Sequence, residues 1–317
     1  MLFAYFLQIS NHMWLSPDDM PQPKWTMQDP WNENNNCDIA VFDRLVDCME
    51  KRCMNGLVID VGDGVKLDSH PEIAAPDAWS KEFLKKKLDE IRAKGIEPFP
   101  KMNFSCGHNV WMKKYRYLVG TPEYMQFCKD VASEVADLFG RPRLFHLGMD
   151  EEVTTWGSRV ERNEKALWNF MYQMFDTVES KGARPWVFSD YYWHHPDLFE
   201  KHMPKSVVQS NWHYDVMDPR PTYKLVNRVT TYDKLNELGY DQIPVPSHFS
   251  NALNATQTMW YCKEHIDPEH LLGFNDIPWH NTTREEMYTH IADIDRFYMG
   301  RVENYPETLP EGHKVVL

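Results

Sequence analysis

Residues 144–152 place three consecutive carboxylates directly after a short apolar run, and these carboxylates are the groups in the chain best suited to acid–base chemistry. A buried strand is predicted over 144–148, and Asp150, Glu151 and Glu152 follow it at once. Because like charges this close repel each other, at least one pKa in the group should rise, and a carboxyl group that keeps its proton is what a general acid requires. The same pattern also suits the acidic first turn of a helix. The residues alone leave both interpretations open.

Eight apolar segments that alternate with helical patterns would position these carboxylates. The predicted strands are Phe3–Ile9, Gly56–Val61, Glu97–Asn103, Leu144–Gly148, Pro185–Ser189, Ser206–Ser210, Ile243–Pro246 and Leu271–Phe274. Apolar residues recur at three- and four-residue spacing between them, which predicts helices. These helices are Asp38–Met54, Ser80–Lys94, Pro122–Phe139, Asn163–Ser180, Pro196–His202, Tyr232–Leu238, Leu253–His265 and Arg284–Met299.

Eight strand-then-helix units predict an α/β fold, a single (β/α)8 TIM barrel that extends over residues 1–317. An open doubly wound sheet is the alternative. That fold usually has a Gly-rich phosphate-binding turn after its first strand, and the sequence has no such turn.

The carboxyl ends of parallel strands converge on one face of a barrel, where catalytic residues of this fold are found. Polar and aromatic residues follow nearly every predicted strand, so that face is predicted to hold a site. Besides Asp150 and Glu151, the candidate site residues at these strand ends are Asn11, His12, Asp63, His108, His146, Asp190, Trp193, Trp212, His248 and Trp279. For His146 the alternative is a core histidine whose hydrogen bonds are satisfied inside the protein.

The composition limits the kinds of partner. The formal net charge is −13 and the pI is near 5.5, which argues against nucleic acid and membranes, because nucleic acid and anionic membranes require a basic face. The 12 Trp, 15 Tyr and 16 Phe favour a carbohydrate ligand, because aromatic rings form the apolar walls of sugar sites. The six cysteines lack paired-ligand spacing, so neither a metal nor another cofactor is predicted. Nothing in the sequence indicates the oligomeric state.

The first nine residues are apolar but lack the basic segment and the small-residue cleavage site of a signal peptide. Free thiols favour a reducing compartment. We therefore expect a cytoplasmic protein, or a periplasmic or secreted one if an export signal has been removed from the chain.

The order of short motifs along the chain resembles that of family 20 glycoside hydrolases, the β-N-acetylhexosaminidases. Their fourth strand carries H-x-G-G-D-E, and residues 146–151 read His-Leu-Gly-Met-Asp-Glu. The other matches, in chain order, are Asp63 with Pro71-Glu72-Ile73 after the second strand, Pro100 leading to Gly107-His108 in the third, and Gly273 with Trp279 in the last. The resemblance extends over the whole predicted barrel.

This resemblance implies a retaining, substrate-assisted reaction. Glu151 would protonate the glycosidic oxygen while the substrate's own acetamido oxygen attacks C1. Asp150 would orient the acetamido group and stabilise the positive charge of the oxazolinium intermediate. The supporting side chains would be Trp212 and Trp279, which stack on the sugar, and His108 and His146, which position the two acids.

Several sugar-binding positions depart from the family pattern. The first strand normally presents an Arg that binds hydroxyl groups at the non-reducing end, and Asn11 stands there without the planar fork of a guanidinium. The seventh-strand region normally offers a Tyr hydroxyl to the acetamido oxygen, whereas residues 247–249 read Ser-His-Phe. Asn281 stands where the family often places a Glu on the sugar, and Met149 replaces the second glycine of the fourth-strand motif. The small domain that usually precedes the barrel is not expected here.

Three hypotheses about function follow. The leading one is a retaining glycosidase that acts on β-linked N-acetylhexosaminides of the GlcNAc or GalNAc type. Another is a glycosidase of the same barrel type that acts on a different sugar, with Glu151 still as the acid. The third is a carbohydrate-binding barrel without turnover, which the missing Arg and Tyr equivalents would favour. A metal-dependent hydrolase is disfavoured because the first strand lacks a His-x-His ligand pair.

Overall fold

The computed structural model describes residues 1–10, 12–13, 32–152 and 163–315 of the chain. Within this part, seven strands and the helices around them alternate along the sequence. The strands are β1 (Leu2–Gln8), β2 (Gly56–Asp60), β3 (Glu97–Lys101), β4 (Leu144–His146), β5 (Arg184–Phe188), β6 (Val208–Ser210) and β7 (Gly273–Asp276). The α-helices are α1 (Ile39–Lys51), α2 (Lys81–Ala93), α3 (Pro122–Leu138), α4 (Glu164–Ser180), α5 (Tyr191–His194), α6 (Pro196–His202), α7 (Val226–Glu237), α8 (Asn254–His265) and α9 (Met287–Asn304).

All neighbouring strands are parallel, in the order β6-β5-β4-β3-β2-β1-β7. The predicted α/β fold with a curled parallel sheet is therefore confirmed, with seven regular strands in the described residues rather than eight. In this sheet β1 lies between β2 and the edge strand β7, so that the first and last described strands are neighbours. Such a connection is typical of a sheet that curls toward closure.

The predicted seventh strand, Ile243–Pro246, is the one that is not a regular strand. Its backbone N–H groups at Ile243 and Val245 each donate to β6 or to the residue after it, at 2.9 Å. On its other side the carbonyls of Pro244 and Pro246 accept from the region of β7, at 3.1 Å. A proline has no N–H to return a hydrogen bond, so this side of the segment cannot form a full ladder. The segment thus bridges β6 and β7 through isolated pairs.

Two apolar cores follow from the alternation of side chains along the strands. On β1, Ala4 and Phe6 belong to a cluster inside the curl of the sheet, together with Phe99 and Trp186 from other strands. The intervening residues of β1 pack outward against the helices in a larger cluster. Gln8 ends the inward-facing row of β1, and it is buried although it is polar. The inner core therefore stops at a polar layer near the carboxyl ends of the strands.

The helix predictions hold best where capping residues are present. Thr121 accepts a hydrogen bond from Tyr124 N at the start of α3, and Pro122 occupies the first helical position. After this helix Gly140 takes a positive φ of 74°. The last helix starts at Met287 rather than at the predicted Arg284. No helix in the described part of the chain is both long enough and apolar enough to cross a membrane.

Candidate active site

The three-carboxylate segment leaves β4 through an unusual backbone turn. Gly148, Met149 and Glu151 have φ values of 72°, 67° and 47°, in the left-handed region that side chains other than glycine rarely adopt. A Cβ at position 148 would overlap the side chain of Asn103, so only glycine fits there. Each non-glycine residue in this conformation costs about 1–3 kcal/mol, and such residues cluster at functional sites. The turn sends the neighbouring side chains of Asp150 and Glu151 into different surroundings.

Asp150 is buried, and a polar side chain contacts each of its two carboxylate oxygens. Asn103 Nδ2 donates to its Oδ1 at 2.8 Å, and His108 Nδ1 lies 3.4 Å from its Oδ2. Burial alone would raise the pKa of Asp150, but the charge and hydrogen bond of His108 outweigh it and hold that pKa well below its usual range. Lys101, below the site on β3, acts in the same direction. Asp150 is therefore a carboxylate at any ordinary pH.

Glu151 shares the same histidine but faces solvent. Its Oε2 lies 3.3 Å from His108 Nε2, while about a third of its side chain is exposed. Burial would lower the pKa of His108, yet Asp150 and Glu151 together raise it to about 10. One imidazolium ring thus separates the two carboxylates and contacts each of them through a different nitrogen. Two adjacent acids acquire different environments, which is how active sites assign different proton roles to the same residue type.

The raised carboxyl pKa that the sequence predicts within the acidic segment is found instead at Asp190, which follows β5. Burial, reinforced by the nearby charge of Asp150, raises the pKa of Asp190 to about 7. Its Oδ2 accepts the backbone N–H of Glu151 at 2.9 Å, and its Oδ1 accepts from Trp212 Nε1 at 3.4 Å. Asp190 therefore ties the end of β5 to the acidic turn and to the aromatic wall.

Aromatic side chains form a wall beside the carboxylates. Trp193 and Trp212 meet with ring centroids 4.5 Å apart, and Trp212 stacks on Tyr214 at 5.0 Å. The wall continues to Trp279, whose Nε1 donates to the Tyr214 hydroxyl at 3.0 Å. Three of these four residues were predicted from sequence.

Tyr214 was missed. Burial, followed by the charges of Asp150, Glu151 and Asp190, raises its pKa well above the usual value. The available signal was its two-residue spacing from Trp212, because side chains two apart after a strand point to the same face.

A cavity of about 200 Å³ opens beside Glu151. Its lining includes Glu151, Asp190, Trp193, Trp212 and, from α7, Arg228. Arg228 was not among the predicted site residues, because the predicted helix in this region began only at residue 232.

A layer of buried polar side chains lies beneath the carboxylates. Lys101 Nζ is 2.5 Å from Asp60 Oδ2, and both side chains are almost wholly buried. His146 Nδ1 accepts the backbone N–H of Gly148 at 3.0 Å, and its ring packs between Trp186 and Phe188. Burial, helped by the Lys101 charge, keeps the pKa of His146 well below its usual value. His146 is thus a neutral ring that supports the glycine of the acidic turn.

Two other predicted residues form a separate cluster. Asp63, after β2, is fully buried and lies 2.8 Å from His12 Nδ1 and 2.8 Å from Lys113 Nζ. Burial would raise the pKa of Asp63, but the hydrogen bonds and charges of His12 and Lys113 together outweigh it and lower that pKa. Ser10 also donates to the same carboxylate. The charge of Asp63 is therefore satisfied by its own neighbours.

Two predicted residues lie away from the carboxylate cluster. His248 points outward beneath α9, where its Nδ1 lies 3.6 Å from both Asp276 Oδ2 and Asp293 Oδ1. Asn281 is buried, and its backbone carbonyl accepts from His290 Nε2 at 3.0 Å, again on the side of α9. Asn11 falls outside the described residues. The structure thus brings together Asp150, Glu151, His108, Asp190, Trp193, Trp212 and Trp279.

Known structures share this architecture at low sequence identity. The Streptomyces plicatus N-acetyl-β-hexosaminidase matches with a TM-score of 0.63 and 13% identity, over 93% of this chain and 62% of that chain. The Flavobacterium johnsoniae chitobiase matches with 0.60 and 13%, over 85% and 50%. Dispersin B matches with 0.60 and 12%, over 96% and 99%. By sequence, no protein-family profile and no curated protein matches the chain.

These similarities show the fold. The chain has the fold of the catalytic domain of family 20 glycoside hydrolases, so the motif resemblance is confirmed at the level of architecture. The chain spans only about half the length of the Flavobacterium chitobiase and 57% of the Vibrio harveyi exo-β-N-acetylglucosaminidase.

Proposed function

We propose that this chain, which has the catalytic-domain fold of family 20 glycoside hydrolases, is a retaining glycosidase that hydrolyses β-linked N-acetylhexosaminides by substrate-assisted catalysis. The observation that carries the proposal is the pair of adjacent carboxylates on either side of His108, one buried and ionised, the other facing a cavity. The bridging segment at 241–246 supports a closed eight-unit barrel around this pair.

In the proposed reaction Glu151 gives its proton to the glycosidic oxygen as the bond from that oxygen to C1 breaks. The carbonyl oxygen of the 2-acetamido group forms the new bond to C1 and closes an oxazolinium ring. Asp150 accepts a hydrogen bond from the acetamido N–H and stabilises the positive charge that develops there. The Glu151 carboxylate then removes a proton from water, which attacks C1 and restores the acetamido group with retained configuration.

Asp150 is suited to its role because its charge is fixed before substrate binds. A buried carboxylate held by Asn103 and His108 needs no reorganisation when positive charge develops beside it. Glu151 is suited to its role because its partly exposed carboxyl group can exchange protons with water between the two steps.

Tyr214 supplies a hydroxyl that the seventh-strand region lacks. The Tyr214 oxygen already accepts from Trp279 Nε1, so its own proton remains to be donated. Donation to the acetamido oxygen would orient that atom toward C1. Trp212 and Trp279 would stack against the sugar on either side of this hydroxyl.

The decisive test is the hydrolysis of aryl β-N-acetylglucosaminide and aryl β-N-acetylgalactosaminide by the wild type and by Glu151→Gln. We expect the variant to lose about 10²–10⁴-fold in kcat/KM, the usual contribution of a general acid or base. The control is Glu200→Gln, which changes an exposed carboxylate on α6 and should retain wild-type rates.

Unchanged turnover in Glu151→Gln would exclude Glu151 as the acid. Wild-type protein that binds amino sugars but turns over none of them would support a carbohydrate-binding barrel instead. Turnover confined to other sugars would support a different glycosidase on the same fold.

A further inference from the structure

The guanidinium group of Arg228 lies at the edge of the active-site cavity. Its Cζ lies 4.4 Å from the centroid of the Trp193 ring and 5.1 Å from that of Trp212. It is half-buried, and burial lowers its pKa from the usual value while Asp190 and Glu151 oppose that shift. Its guanidinium forms no hydrogen bond or ion pair with any residue that the structure describes. Five N–H donors are therefore held on an aromatic surface without a partner among the described residues, and they can bind a ligand.

The side-chain amide of Asn211 holds the backbone of Arg228 in place. Asn211, fully buried after β6, donates from Nδ2 to the backbone carbonyl of Arg228 at 2.7 Å. Its Oδ1 accepts from Trp193 Nε1 at 2.9 Å. The Nδ2 and Oδ1 atoms of the buried Asn211 side chain thus hold the backbone of Arg228 and the indole of Trp193 in place relative to each other. A pair held in this way is preorganised for binding.

The cavity lies beside Glu151, and Asp150 does not contribute to its lining. Among the described residues its lining includes Glu151, Arg228 and Trp193 but neither Asp150 nor Tyr214. In the proposed reaction the acetamido group of the substrate lies against Asp150, and the proton donor faces the leaving group. The cavity beside Glu151 and Arg228 is then the space that the leaving group enters.

We propose that Trp193 and Arg228 form a binding site for a neutral sugar on the leaving-group side of the scissile bond, an inference that rests on the function proposed above. The indole face covers the apolar face of a sugar ring, and the planar guanidinium fork spans two neighbouring hydroxyl groups. Glu152 and Asp190 line the same cavity, so the negative charge that they carry when ionised would repel an acidic leaving sugar but not a neutral one. The site therefore selects di- and oligosaccharides with a neutral leaving sugar over those with an acidic one.

The test compares three substrates: N,N′-diacetylchitobiose, its analogue with glucuronic acid as the leaving sugar, and methyl β-N-acetylglucosaminide, whose leaving group is too small to reach the cavity. Arg228→Met keeps an apolar side chain against the tryptophan rings and removes the guanidinium group. Arg228→Lys keeps the positive charge but not the planar guanidinium. Arg220→Met is the matched control, since Arg220 lies shortly before α7 on the connection from β6 but is exposed and paired with Asp218.

We expect Arg228→Met to lower kcat/KM for the neutral disaccharide about tenfold, the effect of losing one or two hydrogen bonds to a charged group. Its effect on the methyl glycoside should stay below about threefold, because surface and uninvolved changes are small in free energy. Arg228→Lys should not restore the disaccharide rate, and Arg220→Met should change neither substrate. The wild type should prefer the neutral disaccharide to the acidic one.

Equal losses on the disaccharide and the methyl glycoside would overturn the leaving-group site and make Arg228 a support for the tryptophan wall. An unchanged disaccharide rate in Arg228→Met, or equal rates on the neutral and acidic disaccharides, would also overturn it. These results are distinct from failure of the proposed function, in which the wild type would hydrolyse neither the disaccharides nor the methyl glycoside, and the leaving-group site would fall with it.

Discussion

His108 and His248 each lie between two carboxylates, and their two clusters behave in opposite ways. His108 lies between Asp150 and Glu151 at the carboxyl ends of the strands, and its pKa is raised to about 10. His248 lies between Asp276 and Asp293 beneath α9, and burial lowers its pKa to about 4. Burial also raises the pKa of Asp276 well above its usual value, so that this carboxyl group keeps its proton. The first cluster is ionic, whereas in the second the pKa shifts favour the neutral forms of His248 and Asp276.

The difference comes from the neighbours rather than from the residue types. At the first cluster Asn103 donates to Asp150, and Lys101 adds positive charge from below. At the second, neither carboxylate oxygen of Asp276 has a hydrogen-bond partner among the described residues, and the contacts to His248 are 3.6 Å long. A buried carboxylate without donors is more stable when protonated. Only the first cluster is prepared to stabilise a charge that develops on a substrate.

The largest expected difference between the clusters is in activity. Asp150→Asn removes the charge that faces the acetamido group in the proposed reaction, and we expect kcat to fall about 10²–10³-fold, as when one preorganised electrostatic group is lost from an active site. Asp276→Asn replaces a carboxyl group that is already neutral, so hydrolysis should stay within about twofold of the wild type. The measurement is the steady-state hydrolysis of an aryl β-N-acetylglucosaminide by both variants. A comparable loss in Asp276→Asn would remove the distinction between the clusters.

A smaller difference is expected in the pH dependence of stability, with opposite signs. Because the pKa of His108 is raised from 6.5 to about 10, its stabilising effect is complete below pH 6.5 and is lost as the pH rises toward 10. The advantage of the wild type over His108→Gln should therefore shrink across that range. Because the pKa of His248 is lowered from 6.5 to about 4, the folded state is penalised as the pH falls from 6.5 to 4.

His248→Gln should therefore gain on the wild type by up to roughly 3 kcal/mol between pH 7 and pH 4, since each pKa unit corresponds to about 1.4 kcal/mol. The measurement for both variants is the free energy of unfolding in urea at a series of pH values. Parallel curves for wild type and His248→Gln would mean that His248 titrates normally and that the second cluster is not buried as described.

How well the sequence predicts each element of the fold depends on how clearly the hydropathy pattern marks that element. Strands β1 to β6 lie where apolar runs predicted them, because a strand buried on both faces is apolar along its length. The segment 243–246 has the same composition, but its two prolines remove N–H groups on one side, which a hydropathy pattern does not register. Helix α7 begins at Val226, six residues before its predicted start, because its first turns carry polar and β-branched residues without apolar spacing.

The sequence identified the site residues whose place in the site follows from their position at the end of a strand. It did not identify those whose place depends on the direction of the side chain. Asp150, Glu151 and His108 converge as their strand ends required. His248 follows a predicted strand just as they do, yet its side chain faces the helix layer, because successive residues of an extended segment alternate between two faces. Arg228 reaches the cavity from a helix, and no strand-end pattern includes it.

The central claim is that the ionised Asp150 and the proton donor Glu151 act together on a substrate that supplies its own acetamido nucleophile. The most direct test is to compare wild-type hydrolysis of an aryl β-N-acetylglucosaminide with that of the matched aryl β-glucoside, which has a hydroxyl in place of the acetamido group. We predict turnover of the first and no measurable turnover of the second. Comparable rates on both substrates would contradict the claim, because they would require a nucleophile from the protein.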